Sequence, residues 1–148
     1  MTRLRSSRSR ARRGQALVEF ALVLPLLAVL LFAIIEFARV WNAKQLLTDA
    51  TREGARLAVV GDASPKSEEQ IEARIREIVA RGGFDASEDV LDIVWTGFDG
   101  ASGTITTVEA TLPFAWKVLP GLVRILTFGS VALPPSLTLH SFARMRNE

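Results

Sequence analysis

In RRGQALVEFALVLPLL, residues 12 to 27, a carboxylate interrupts what is otherwise the start of a long apolar run. Holding a charged side chain such as Glu19 in hydrocarbon costs on the order of 2.5 to 3.5 kcal/mol on insertion scales, so a plain single-pass anchor gains nothing from it. The chemistry open to such a group is pairing with a cation brought to the same depth. Gly14 and Gln15 stand five and four positions before it. On a helix, position 15 and the carboxylate therefore share a face.

No other set of residues competes for a chemical role. The chain has no cysteine and one histidine, His140, which excludes a disulfide framework, a thiolate metal site and a histidine cluster. No glycine-rich phosphate loop follows a strand, and no acid pair stands in an ordered motif. A Ser, His and Asp set is implausible when the single histidine sits in the last strand. The expectation is a protein that is not an enzyme, with no catalytic residue, metal, cofactor or small-molecule substrate.

The elements that position Glu19 are legible around it. At 148 residues the chain has room for one domain plus an anchor, and its 49% hydrophobic content is high for a soluble protein. The formal charge of +2 hides an asymmetry: residues 1 to 14 hold six arginines and no acid, and the remaining 12 basic residues face 16 acids, a net −4. A basic leader directly before an apolar span holds its flank in the cytoplasm and orients the helix N-terminus inward. An arginine arm also suits nucleic acid, which is the weaker reading here.

From Phe20 to Ile35 no residue is charged or strongly polar, and the neighbouring apolar positions extend the run to a reach of roughly 30 Å, enough to cross a bilayer core. Pro25 removes one backbone donor and can kink the helix. Glu36 and Arg39 lie three apart at the far end with Trp41 beyond, which suits an interface where charges pair or snorkel and an indole anchors. A cleaved secretory signal is disfavoured, because the apolar core lacks a good small-x-small site after it.

The basic leader, Gly14, Glu19 at the fifth position after it and the apolar run resemble the processing site of type IV prepilins. There a membrane-embedded peptidase cuts after glycine. With "GQALVEFALVLPLLAVLLFAIIEFARV", "LLTDATREGARLAV" at residues 46 to 59 and the terminal "LTLHSFARMRNE", the chain resembles the TadE-like family of minor pilins, or pseudopilins, of tight-adherence (Tad or Flp) pili. The resemblance implies cleavage between Gly14 and Gln15 by a prepilin peptidase, residence in the inner membrane, and partners among other Tad pilins and the inner-membrane assembly platform. The major pilins of such systems end soon after the helix; this chain continues for about a hundred residues, which implies the minor class. Cleavage would leave a free α-amine at Gln15, cationic near neutral pH in water. Opposite unit charges about 4 Å apart gain roughly 4 kcal/mol at an effective dielectric of 20, on the order of what burying the carboxylate costs. Glu19 reaches that amine within its own helix. In the pilin family the implied partner is the amine of a neighbouring subunit, which sets axial stagger.

Beyond the span the helix is expected to continue. Ala43, Leu47, Ala50, Gly54 and Leu57, spaced 4, 3, 4 and 3, form one stripe suited to close backbone approach, packed on the protein's own sheet or, less favoured, on another subunit. Arg52 and Arg56 are like charges four apart, relieved by Asp49 and Glu53 or used to dock an acidic partner. Gly61, Asp62, Ser64 and Pro65 make a turn. SEEQIEARIREIVARGG then predicts an amphipathic helix with a Ser67 and Gln70 capping box, a buried face of Ile71, Ile75, Ile78 and Val79, and a stop at Gly82 and Gly83. Strands are expected near 90 to 98 and 104 to 116, joined as a hairpin by DGASG, where a lone Asp99 is too few oxygens for calcium. Residues 118 to 129 are apolar but too short to cross a bilayer, leaving a connector on the core or a patch facing membrane or partner. After Pro134 and Pro135, Ser136 to Met145 reads as a closing strand.

The expected fold class is α+β and pilin-like: a long N-terminal helix with a transmembrane and an extracytoplasmic half, a second amphipathic helix and a small antiparallel sheet. The expected divisions are a basic cytoplasmic leader over 1 to 14, helix over 15 to 60, and an extracytoplasmic domain over 61 to 148. The rival reading is an uncleaved, single-pass envelope scaffold. Nucleic-acid binding is not expected.

Overall fold

The computed structural model describes residues 6–59, 67–98 and 103–147, with side chains in the first helix from Gly14 onward. The turn expected at Gly61 to Pro65 and most of the DGASG loop, Asp99 included, lie outside the described residues.

A long stretch rich in alanine, leucine and arginine forms α1, Ser6–Val59, which runs through Gly14, Pro25 and Gly54. The sequence signals at residues 67 to 83 form α2, Glu68–Arg81. Both halves of its capping box are present: Gln70 N–H reaches the Ser67 hydroxyl, and the Gln70 side chain takes the Ser67 N–H. Three strands follow, β1 (Asp92–Thr96), β2 (Ile105–Ala115) and β3 (Ser136–Arg146), with an eight-residue helix, α3 (Leu119–Leu126), between the last two. The α+β architecture expected from sequence is present, with this one helix more. Leu119 and Pro120 open it, a position where proline costs no hydrogen bond.

Contacts divide the chain into two compact units, one of Met1–Phe37 and Lys117–Leu133, the other of Ala38–Trp116 and Pro134–Glu148. In the second unit the sheet is antiparallel throughout, in the order β1-β2-β3. The register sets Trp95 opposite Val108, Val108 opposite Ala143, and Leu112 opposite Leu139. Strict alternation along β2 turns Thr106, Val108, Ala110, Leu112 and Phe114 inward. On β3, Leu139, Ser141 and Ala143 are buried and the alternate His140, Phe142 and Arg144 are exposed. Val108, Ala110, Leu112, Phe114, Leu139 and Ala143 share one core with Ala43, Leu47, Ala50 and Ala55 of α1, Ile71, Ile75 and Val79 of α2, and Leu91.

β1 is shorter than the sequence suggested at both ends. Val90 and Leu91 donate backward to the Ser87 carbonyl in a turn, and Gly97 ends the strand at φ 77°, where a Cβ would stand 2.4 Å from the Ile105 carbonyl oxygen. The Arg76 guanidinium gathers the loop before β1 by donating to the carbonyls of Ala86, Ser87 and Leu91 at 3.1, 3.1 and 2.9 Å.

Candidate membrane anchor and assembly segment

From Ala16 to Ile35, Glu19 apart, α1 is apolar and none of its residues is buried. Leu17, Phe20, Leu22, Leu26, Leu30, Leu31 and Ile34 are all exposed, and α1 is long and apolar enough to cross a membrane. A helix apolar all round its circumference is stable only where the surrounding medium is apolar too. This is a candidate membrane anchor.

Gly14 lies inside the helix, and a Cβ placed there would meet nothing within 4 Å. One residue on, the Gln15 side-chain amide donates to Glu19 Oε1 at 3.0 Å, across one turn of exposed helix. The carboxylate thus has a neutral donor at the position where the sequence reading expects a cation. At the other end of the apolar run Glu36 is 2% exposed. Its Oε1 accepts from the backbone N–H groups of Lys117 and Val118, both at 2.8 Å. A carboxylate accepting two N–H bonds is neither a snorkelling charge nor an isolated one, because the donors replace the water it has lost. Sequence reasoning placed Glu36 beside Arg39 and missed this contact.

Further along, the stripe enters the core. Ala43, Leu47, Ala50 and Gly54 are buried and Leu57 is half-buried. A Cβ on Gly54 would stand 2.5 Å from Ile75 Cδ1 and 2.9 Å from Cγ1, so α1 and α2 approach at a distance only glycine permits. Beside the stripe, the buried hydroxyls of Thr51 and Ser141 pair at 3.0 Å, and Ser141 also reaches Thr48 at 3.3 Å. Lys44 donates to the His140 carbonyl. α1 therefore meets α2 and β3 of its own chain along this face.

The two arginines sit apart from that face and in different surroundings. Arg56 binds Glu53 through two hydrogen bonds of 2.9 Å, which raises its pKa above the ordinary arginine value. Arg52 is exposed and lines a shallow groove of about 430 Å³ with Trp41, Lys44, Gln45, Thr48 and Asp49. Arg39 lies over the Phe114 ring at 4.9 Å, and Phe114 meets Trp116 edge-on at 5.6 Å. Among the described residues no group of histidine, aspartate and glutamate is placed to hold a metal ion.

Residues 14–56 match the family model of TadE-like proteins. Over these residues the chain is similar to TadE-like proteins. No curated protein and no solved structure matches the chain. The TadE-like segment begins at Gly14 and ends at Arg56, three residues before α1 does. It contains Gln15, Glu19, the apolar run, Glu36, both arginines and four of the five stripe residues. α2, the sheet and α3 fall outside it, as does the C-terminal stretch from residue 137 that also suggested the family.

Proposed function

We propose that this chain is a minor pilin, or pseudopilin, of a Tad pilus, cut between Gly14 and Gln15 by a prepilin peptidase and then used in assembling the pilus. Its work is structural and it performs no chemistry of its own. The observation that carries this reading is the pairing of Gln15 with Glu19 on an exposed helix face directly after an unobstructed glycine. Hydrolysis of the Gly14 to Gln15 peptide bond would leave the Gln15 nitrogen as a free amine. That cation would stand one turn from Glu19 or, on a staggered neighbour, opposite it.

The arginine-rich leader then remains cytoplasmic, α1 crosses the inner membrane, and the domain after residue 60 is extracytoplasmic. Other Tad pilins, the peptidase and the inner-membrane assembly platform are the partners that follow, with no nucleic acid and no soluble substrate among them. Intact mass of the chain from cells with and without the prepilin peptidase tests the reading. Loss of residues 1 to 14 only when the peptidase is present is expected. Equal masses in both strains refute processing and leave an uncut, single-pass scaffold.

A further inference from the structure

The segment between β2 and β3 is apolar and uncovered. None of the residues of α3 is buried, Ile125 and Phe128 are 73% and 97% exposed, and Val118, Leu126 and Val131 are exposed as well. Residues 117 to 133 carry Lys117 and Arg124 and no acid.

The ending of α3 adds strain to exposure. Phe128 N–H donates to the Ile125 carbonyl at 3.3 Å and Gly129 N–H to the Arg124 carbonyl at 2.8 Å, the paired bonds of a Schellman ending. Phe128 therefore occupies the position that ordinarily takes glycine, at φ 50°, the one positive φ on a non-glycine among the described residues. A left-handed phenylalanine is disfavoured, and its ring recovers nothing by burial in the described chain.

The tether of this segment identifies what covers it. Glu36, next to the last apolar residue of the span, holds the N–H groups of Lys117 and Val118 at 2.8 Å. The same compact unit contains the span and residues 117 to 133. A bilayer surrounding α1 brings its headgroup zone to the level of Glu36, and so to the start of α3. An apolar helix with basic residues and no acid suits that zone, its side chains entering the acyl boundary and its cations meeting phosphate.

We propose that residues 117 to 133 form an interfacial element that docks on the leaflet at the Glu36 end of the span, with Ile125, Phe128 and Val131 in the acyl boundary and Lys117 and Arg124 at the phosphates. The proposal rests on α1 crossing a membrane, and its test separates the two. The cysteine-free chain accepts one nitroxide at a time through Leu27→Cys, Ile125→Cys, Val131→Cys or Thr138→Cys. The full-length protein is placed in vesicles of phosphatidylethanolamine and phosphatidylglycerol. Collisional relaxation by oxygen, which concentrates in lipid, is compared with that by a water-soluble nickel chelate.

The expected oxygen-to-nickel ratios at 125 and 131 approach that at 27. They exceed that at 138 by roughly tenfold or more, the scale on which one large apolar side chain partitions. Adding Phe128→Ser lowers the ratio at 125 several-fold. Ratios at 125 and 131 equal to that at 138, with 27 still lipid-like, overturn the docking and leave the anchor standing. A water-like ratio at 27 overturns the anchor itself. Protection from both reagents that is lost on dilution with lipid assigns the surface to a second copy and overturns the proposal.

Discussion

Gly54→Ala asks whether the small-residue stripe of α1 is filled by its own chain or kept for another subunit. In an exposed helix interior this change stabilises by about 0.8 to 1 kcal/mol, because alanine loses less backbone freedom than glycine. Here the new methyl meets Ile75 Cδ1 at 2.5 Å and Cγ1 at 2.9 Å, with Ile71 Cγ2 at 3.6 Å. Ile75 is fully buried and cannot swing aside without disturbing the core cluster it belongs to. Overpacking of this kind costs about 1 to 3 kcal/mol, so the net expected effect runs from near zero to about 2 kcal/mol of destabilisation.

The sharper test is the sign in a second background. Ile75→Ala alone costs about 2 to 5 kcal/mol. With the offending carbons gone, Gly54→Ala becomes stabilising by about 1 kcal/mol, an interaction of about 1 to 3 kcal/mol in a double-mutant cycle. Ile75→Val, which removes only Cδ1, gives an intermediate value. Urea unfolding of the detergent-solubilised chain, followed by tryptophan emission, is the assay, since Trp41, Trp95 and Trp116 all belong to the unit of residues 38–116 and 134–148. If Gly54→Ala stabilises the wild-type background by the full 1 kcal/mol and Ile75 changes nothing, the α1 to α2 contact is not what fills the stripe, and a seam between subunits takes its place.

Glu19→Gln retains a hydrogen-bonding side chain beside Gln15 but no charge, so processing after Gly14 should proceed while pilus number falls sharply; normal piliation with the variant would show that the carboxylate has no role in assembly. Glu36→Ala leaves the N–H groups of residues 117 and 118 without their shared acceptor, at about 1 to 3 kcal/mol each. Tryptic cleavage after Arg124 in detergent should then accelerate by at least roughly tenfold, and Glu36→Gln, which keeps one acceptor oxygen, by less. Asp85 is held below the ordinary carboxylate range by the Ser87 N–H, and Glu77 by Arg74 and then Arg81. Depressed carboxylates stabilise above their unfolded values near 4 and lose that contribution as pH falls through the folded ones. The midpoint of thermal unfolding should therefore show no change from these groups between pH 7 and 5, where their contribution is complete, and should fall below about pH 4, more weakly in Arg74→Gln.

How much of this was legible depended on the distance over which each interaction acts. α2 was readable to its caps, because the serine and glutamine of the box, the 3.6-residue spacing of its isoleucines and the closing glycines all act within a few positions of one another. Three of its four expected inward residues are buried and Ile78 is half-buried, since a helix on a sheet covers only part of its circumference. β2 and β3 announced themselves by alternation, and the candidate anchor by length and hydropathy. α3 was missed as a helix because it is only eight residues long and has Pro120 and Gly121 in its first turn, which read as a break in the chain, and so short an apolar run does not distinguish helix from strand or connector.

The sequence by itself determined the local elements, the charge asymmetry around the span, and the spacing that puts Gln15 and Glu19 on one face, all of which follow from neighbours on the chain. Only the tertiary structure decided that Glu36 caps the N–H groups of residues more than eighty positions away, that Gly54 is reserved for Ile75, that β2 is the central strand, and that Phe128 is held out in strained backbone. Those facts arise where distant segments compete for the same volume and the same hydrogen-bond donors, and one-dimensional spacing carries no record of that competition.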